Sequence, residues 1–173
     1  MDEKLSKAKA QQSKLENLMD KLPFYKGYKD KELRRALDKQ LRDTLAEQCQ
    51  VQWKRIADMQ RQLVDGGQLV YVDDLQTSET RLRRFMDRIR NASYGYSPVF
   101  DAAKVKEQTL EAMYDFDASL VNQIAAIKAA LDSVQEAIDA NAGIPGAIRE
   151  ANAVVGAAND IFSSRDNILK GSA

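Results

Sequence analysis

The sequence predicts an all-α protein, an elongated antiparallel four-helix bundle with an additional C-terminal amphipathic helix. Three observations predict it. Apolar residues recur at three- and four-residue spacing over most of the chain, the period of one helix face. No segment alternates apolar and polar residues over a useful length, so the pattern of a half-buried strand is missing. Only 3 prolines and 8 glycines interrupt 173 residues, which favours long elements.

The first segment, residues 2–22, carries Leu5, Ala8, Leu15, Leu18, Met19 and Leu22 as a thin stripe. It ends at Pro23, which disfavours helical geometry in the residue before it. The second helix is predicted from Asp30, a plausible N-cap, to Val64. Leu33, Leu37, Leu41 and Leu45 step by four, then Cys49, Gln52/Trp53, Ile56, Met59 and Leu63 alternate threes and fours. A four-residue step drifts about 40° around a helix of 3.6 residues per turn, so the stripe turns by roughly 120° between Leu33 and Leu45. Such a helix faces more than one neighbour. Asp65-Gly66-Gly67 ends it, glycine being suited to a left-handed C-terminal cap.

Gln68–Val72 reads as a loop that enters the third helix at Asp73 or Asp74. There Leu75, Ser78, Leu82, Phe85, Ile89 and Ala92 repeat at threes and fours, up to the Tyr94-Gly95-Tyr96-Ser97-Pro98 loop. The fourth helix, about 102–140, has the most regular seam: Leu110, Met113, Asp117, Leu120, Ile124, Ile127, Leu131, Val134 and Ile138. Strict alternation of three and four over four repeats marks coiled-coil-like packing. Asp117 is an acid within that seam and must be solvated, paired or protonated. Ala142-Gly143-Ile144-Pro145-Gly146 then reads as a hinge. Beyond it Ile148, Val155, Phe162 and Leu169 fall at intervals of seven, with Ala151 and Ala158 between them. The expected division is therefore a helical bundle over 1–141, and a hinge with a C-terminal heptad helix over 142–173.

Composition excludes several function classes. An apolar fraction of 44% with 30% charged residues describes a folded, surface-charged chain. The net charge is zero, yet residues 1–100 hold 20 Lys and Arg against 15 Asp and Glu, while 101–173 hold 6 against 11. Halves of +5 and −5 are expected to neutralise each other by packing. The single cysteine, Cys49, rules out an internal disulfide framework. With no secretory signal in view and no charge-free run approaching the roughly 20 apolar residues of a membrane span, a cytoplasmic location is expected and no transmembrane segment. The absence of histidine removes the commonest general base and most zinc sites. Glu107, Glu111 and Asp115 share one helical face, where a solvated acidic stripe outweighs an oxygen-ligand metal site. No phosphate loop follows Gly66-Gly67. An enzyme is not expected, nor a cofactor or metal.

Two aromatic segments carry the strongest functional signal. Pro23–Lys29 and Tyr94–Phe100 hold six of the eleven Phe and Tyr residues. Helices joined by short connections run antiparallel, which puts both segments at one end of the bundle. Tyr25, Tyr28, Tyr94 and Tyr96, with Lys26, Lys29 and Arg90 around them, then form one interaction patch. The same rings can instead plug the bundle end, with their hydroxyls left wet. A second candidate is the face of Arg81, Arg84 and Arg88, since arginine at this density suits phosphate groups; pairing with the acidic fourth helix would consume that charge. A third is tail docking through Ile148, Val155, Phe162 and Leu169. The function expected is a non-enzymatic helical interaction or scaffold protein, engaging a protein partner or itself through the C-terminal helix. The alternative is a peripheral binder of polyanions, nucleic acid or anionic membrane, through the Arg81–Arg90 helix face.

Overall fold

The computed structural model of the chain describes residues 31–92 and 107–164, with side chains over 39–92 and 115–164. The described residues are helical, with no strand among them. Four helices follow in order: α1 (Lys31–Asp65), α2 (Val70–Asn91), α3 (Glu107–Asp139) and α4 (Ile144–Ser163). The helix predicted over 2–22 and both aromatic segments lie outside the described residues, as does Leu169.

α2 packs against α1 and α4, and α3 packs against the same two helices. Among the described residues the diagonals, α1 to α4 and α2 to α3, show no close backbone approach. Hydrogen bonds fix the directions. Gln60 pairs with Gln76, and Arg42 reaches the Ala92 carbonyl, so α1 and α2 run antiparallel. Arg55 meets Asp132 and Gln135 donates to Gln62, so α1 and α3 run parallel. The molecule is thus two hairpins, α1/α2 and α3/α4, laid side by side with both tight turns at one end.

The turns share a design. At the end of α1 the Gln68 amide donates to the Leu63 carbonyl at 2.8 Å and the Gly67 amide to Val64 at 3.0 Å, with Gly67 at φ 70°. At the end of α3 the Ala142 amide donates to Ala137 at 3.0 Å and the Asn141 amide to Ile138 at 3.0 Å, with Asn141 at φ 49°. Both are Schellman caps, which use a left-handed residue to satisfy the last carbonyls. The Gln68 side chain donates to Asn141 Oδ1 and ties one cap to the other.

Two boundaries differ from the sequence reading. α2 begins at Val70, not at Asp73, because the cap ends at Gln68 and the Tyr71 amide already donates to the Gln68 carbonyl at 3.1 Å. Val70, Tyr71 and Val72 are strand-prone types, but the chain turns here with no strand to pair among the described residues. α4 begins at Ile144 with Pro145 in its first turn, where a missing amide hydrogen is harmless. The interruption therefore shortens to 140–143.

One hydrophobic cluster runs through all four helices. Leu41, Leu45, Cys49, Ile56, Met59 and Leu63 line the α1 side, and Leu75, Leu82, Phe85 and Ile89 the α2 side. In α3, Leu120, Ile124, Ile127, Leu131 and Val134 are buried, and Ile138 is half-buried; Asp117 is buried too and is not without a partner. The helix expected as an addition to the bundle supplies Ile144, Ile148, Ala151, Val155, Ala158 and Phe162 to this same cluster.

Candidate functional site

The arginine face of α2 lies against α4. Arg81 Nη1 donates to the Asn152 carbonyl at 2.9 Å, and Arg88 Nη1 to the Asn159 carbonyl at 2.7 Å. Arg88 also donates to Ser163 Oγ at 3.0 Å and stacks 4.8 Å above the Phe162 ring centre. Arg84 is exposed. The expected pairing of these arginines with the acidic α3 is replaced by contacts to α4 main chain, because α2 and α3 sit on a diagonal. Among the described residues, Arg55 forms an ion pair with Asp132 at 2.7 Å that joins the hairpins. Hydrogen bonds from Lys128 and from Arg55 hold the Asp132 carboxyl below its ordinary 3.8.

Two asparagines answer the arginines from α4. Asn152 Nδ2 donates to the Asp74 carbonyl at 3.1 Å, and Asn159 Nδ2 to the Arg81 carbonyl at 3.0 Å. Asp74, Arg81 and Arg88 are seven apart, and so are Asn152 and Asn159. One heptad of a parallel helix pair therefore repeats the same polar clamp twice. The buried Ser78 hydroxyl adds a bond to Asn152 Oδ1 at 2.7 Å. One heptad on from Ser78 stands Phe85, which has no donor, and Asn159 Oδ1 is a buried acceptor left unmatched. Polar groups at interhelical positions select register at some expense of stability. Small residues make the reach feasible: Ala151 and Ala158 are fully buried, and a Cβ on Gly156 would stand 3.4 Å from Arg81 Nη1. Sequence reasoning missed both asparagines. Their signal was present as a second seven-residue spacing beside the apolar one.

At the end opposite the two caps, three aromatic rings converge. Phe162 meets Phe85 edge-on, with centroids 6.2 Å apart, and Phe116 at 6.0 Å. Phe162 of α4 thereby bridges the diagonal between α2 and α3. Of the tail-docking residues, Ile148, Val155 and Phe162 are buried, and Leu169 falls outside the described residues. Of the aromatic patch only Arg90 is described; it is exposed and donates to Gln50 Oε1 at 2.7 Å. Tyr25, Lys26, Tyr28, Lys29, Tyr94 and Tyr96 lie outside. What the fold does place is their points of attachment. The start of α1 and the end of α2 are at this same end, as are the start of α3 and the end of α4.

The carboxylate and thiol candidates of the sequence are Glu107, Glu111, Asp115 and Cys49. No group of three Asp, Glu or Cys side chains among them converges as a metal site would require. Asp115 is exposed, and the side chains of Glu107 and Glu111 fall outside the description. Burial pushes the Cys49 thiol up to about 12, against the opposing pull of the Arg90 guanidinium. Only the thiolate reacts with disulfide reagents. Cys49 is accordingly expected to resist a thiol-disulfide reagent at pH 8 in the native protein and to react at once in guanidinium chloride; fast native labelling would contradict its burial. No described helix is long and apolar enough to cross a membrane. No family model, curated protein or solved structure matches this chain.

Proposed function

We propose that the protein is a non-enzymatic helical scaffold whose antiparallel bundle displays an aromatic recognition surface at one end. In this reading the segment 2–22 adds a helix to the bundle, and the C-terminal helix contributes to partner contact or self-association beyond Phe162. One observation supports it above the rest: the segments 1–30, 93–106 and 165–173 all attach at the end opposite the paired caps. Two of them carry Tyr25, Tyr28, Tyr94 and Tyr96, beside Lys26, Lys29 and the exposed Arg90. Tyrosines of this kind offer large contact area with a polar tip, a combination enriched at interfaces.

The test replaces Tyr25, Tyr28, Tyr94 and Tyr96 by Ser and compares affinity capture from the native cell with thermal melting. The expected result is loss of a specific partner by at least about tenfold, the effect of one hot-spot contact, at an unchanged melting temperature. A fall of several degrees with capture unchanged assigns the rings to an end plug and overturns the reading. The second reading, a polyanion binder, rests on a smaller surface than Arg81, Arg84 and Arg88 together. Arg81 and Arg88 are committed to α4 carbonyls, which leaves Arg84 and its neighbour Arg83 to meet phosphate groups.

A further inference from the structure

The capped end of the molecule combines two properties that the arrangement of hairpins alone does not require. It is apolar at the surface: Leu69 is 62% exposed and Val70 71%, with Val64 at 49% close by in the last turn of α1. It is also strongly acidic. The residues nearest this end, 58–79 and 130–153, hold nine Asp and Glu against Arg61 and Arg149, a net of −7. The other residues with described side chains, 39–57, 80–92, 115–129 and 154–164, hold ten Lys and Arg against six Asp and Glu, a net of +4. Charge is therefore separated along the helix axis. Asp65, Asp73 and Asp74 flank the apolar residues, are exposed, and enter no ion pair among the described residues.

The basic part of the molecule presents a shallow, open groove of about 380 Å³ along α2, whose described lining comes from that helix alone. Thr80, Arg83, Arg84, Asp87, Arg88 and Asn91 line it; with Arg88 held by α4, the guanidinium groups of Arg83 and Arg84 face one carboxylate, that of Asp87. The aliphatic stems of arginine offer apolar surface beneath their charged heads.

We propose that the Leu69–Val70 tip docks into the Arg83–Arg84 groove of a second copy of this chain. Leu69 and Val70 cover the arginine stems, and Asp73 and Asp74 face the two guanidinium groups. A surface on one copy meets a different surface on the next, so the association is heterologous and open-ended. Its apolar part is small, which places it among weak contacts, and its ionic part weakens as the screening length falls from about 30 Å at 0.01 M to 3 Å at 1 M salt. This inference is independent of the proposed aromatic patch, whose segments attach to described helices at the other end.

Sedimentation equilibrium of the full chain tests it over a range of concentrations at low and high salt. Apparent mass is expected to rise above the monomer with concentration at low salt and to return to it at high salt. The double variants L69S/V70S, D73K/D74K and R83E/R84E should each weaken association at least about tenfold, or 1.4 kcal/mol. All six sites are exposed, so L69S/V70S and R83E/R84E should melt at the wild-type value, and D73K/D74K only slightly lower because Asp73 lies in the first turn of α2. The combined variant D73K/D74K/R83E/R84E should associate again, its charges being exchanged. A monomer under every condition overturns the proposal, and so does association that survives L69S/V70S. Failure of the combined variant to associate shows that the acidic tip meets some other surface and overturns the groove assignment.

Discussion

Truncation after Ala142 is expected to abolish cooperative folding. The missing helix α4 buries Ile144, Ile148, Val155 and Phe162 in the cluster shared by all four helices. At about 1.5–3 kcal/mol for each large apolar side chain, these four contribute roughly 6–12 kcal/mol. A whole domain is stable by only about 5–15 kcal/mol. Removal also takes Phe162 from the fully buried Phe85 and strips Ser78, Arg81 and Arg88 of their partners. A circular dichroism melt of the truncated chain should lose its sigmoidal transition, and near-ultraviolet signals should vanish. A sharp transition accompanied only by a change in oligomeric mass would mean that α4 serves assembly and not folding.

The largest effect of a single substitution is expected at Phe85. Its ring is 0% exposed and stands edge-on to Phe162, which in turn meets Phe116. Phe85→Ala therefore removes the α2 member of the only trio of rings that links α2 to α3 among the described residues. Replacing a buried Phe by Ala costs about 3–5 kcal/mol, from lost transfer energy and the cavity left behind. For a protein of this size each kcal/mol lowers the melting temperature by about 2–4 °C, so a fall of roughly 6–20 °C is expected. Phe85→Leu keeps much of the volume and should recover most of it. A fall below 2 °C for the alanine variant would show that the ring cluster contributes little. The unmatched Asn159 Oδ1 lies one heptad from the acceptor that Ser78 satisfies, so Phe85→Ser separates two terms. If its melting temperature lies above that of Phe85→Ala, the new hydroxyl has found the orphan acceptor.

These expectations depend on features of differing legibility. The helical character of α1 and α3 was plain in the apolar spacings, since a helix face needs only local periodicity. Gly67 in the cap of α1 was legible for a similar reason: few other residues accept a left-handed conformation. The start of α2 was not. Val70-Tyr71-Val72 favours an extended chain locally, and the helix wins because the Schellman cap hands the chain directly to it. Nor was the destination of the arginines legible. Their density on α2 suggested a phosphate surface or pairing with acids of α3, but sequence spacing says nothing about which helices become neighbours.

By itself, then, the sequence determined the all-helical class, the apolar faces of the described helices and the absence of histidine chemistry, all of which follow from residue type and local period. Tertiary structure alone decided that the hairpins lie side by side, with α2 beside α4 and diagonal to α3. That choice turned Arg81 and Arg88 from candidate ligand-binding groups into clamps on the Asn152 and Asn159 carbonyls, and separated an acidic, apolar tip from an arginine groove. The physical reason is that an amphipathic helix specifies which face is buried, while its partner is selected by the fit of small and large side chains and by the matching of polar groups across the seam. In this chain the matching is done by Asn152 and Asn159, at a spacing the apolar pattern shares and conceals.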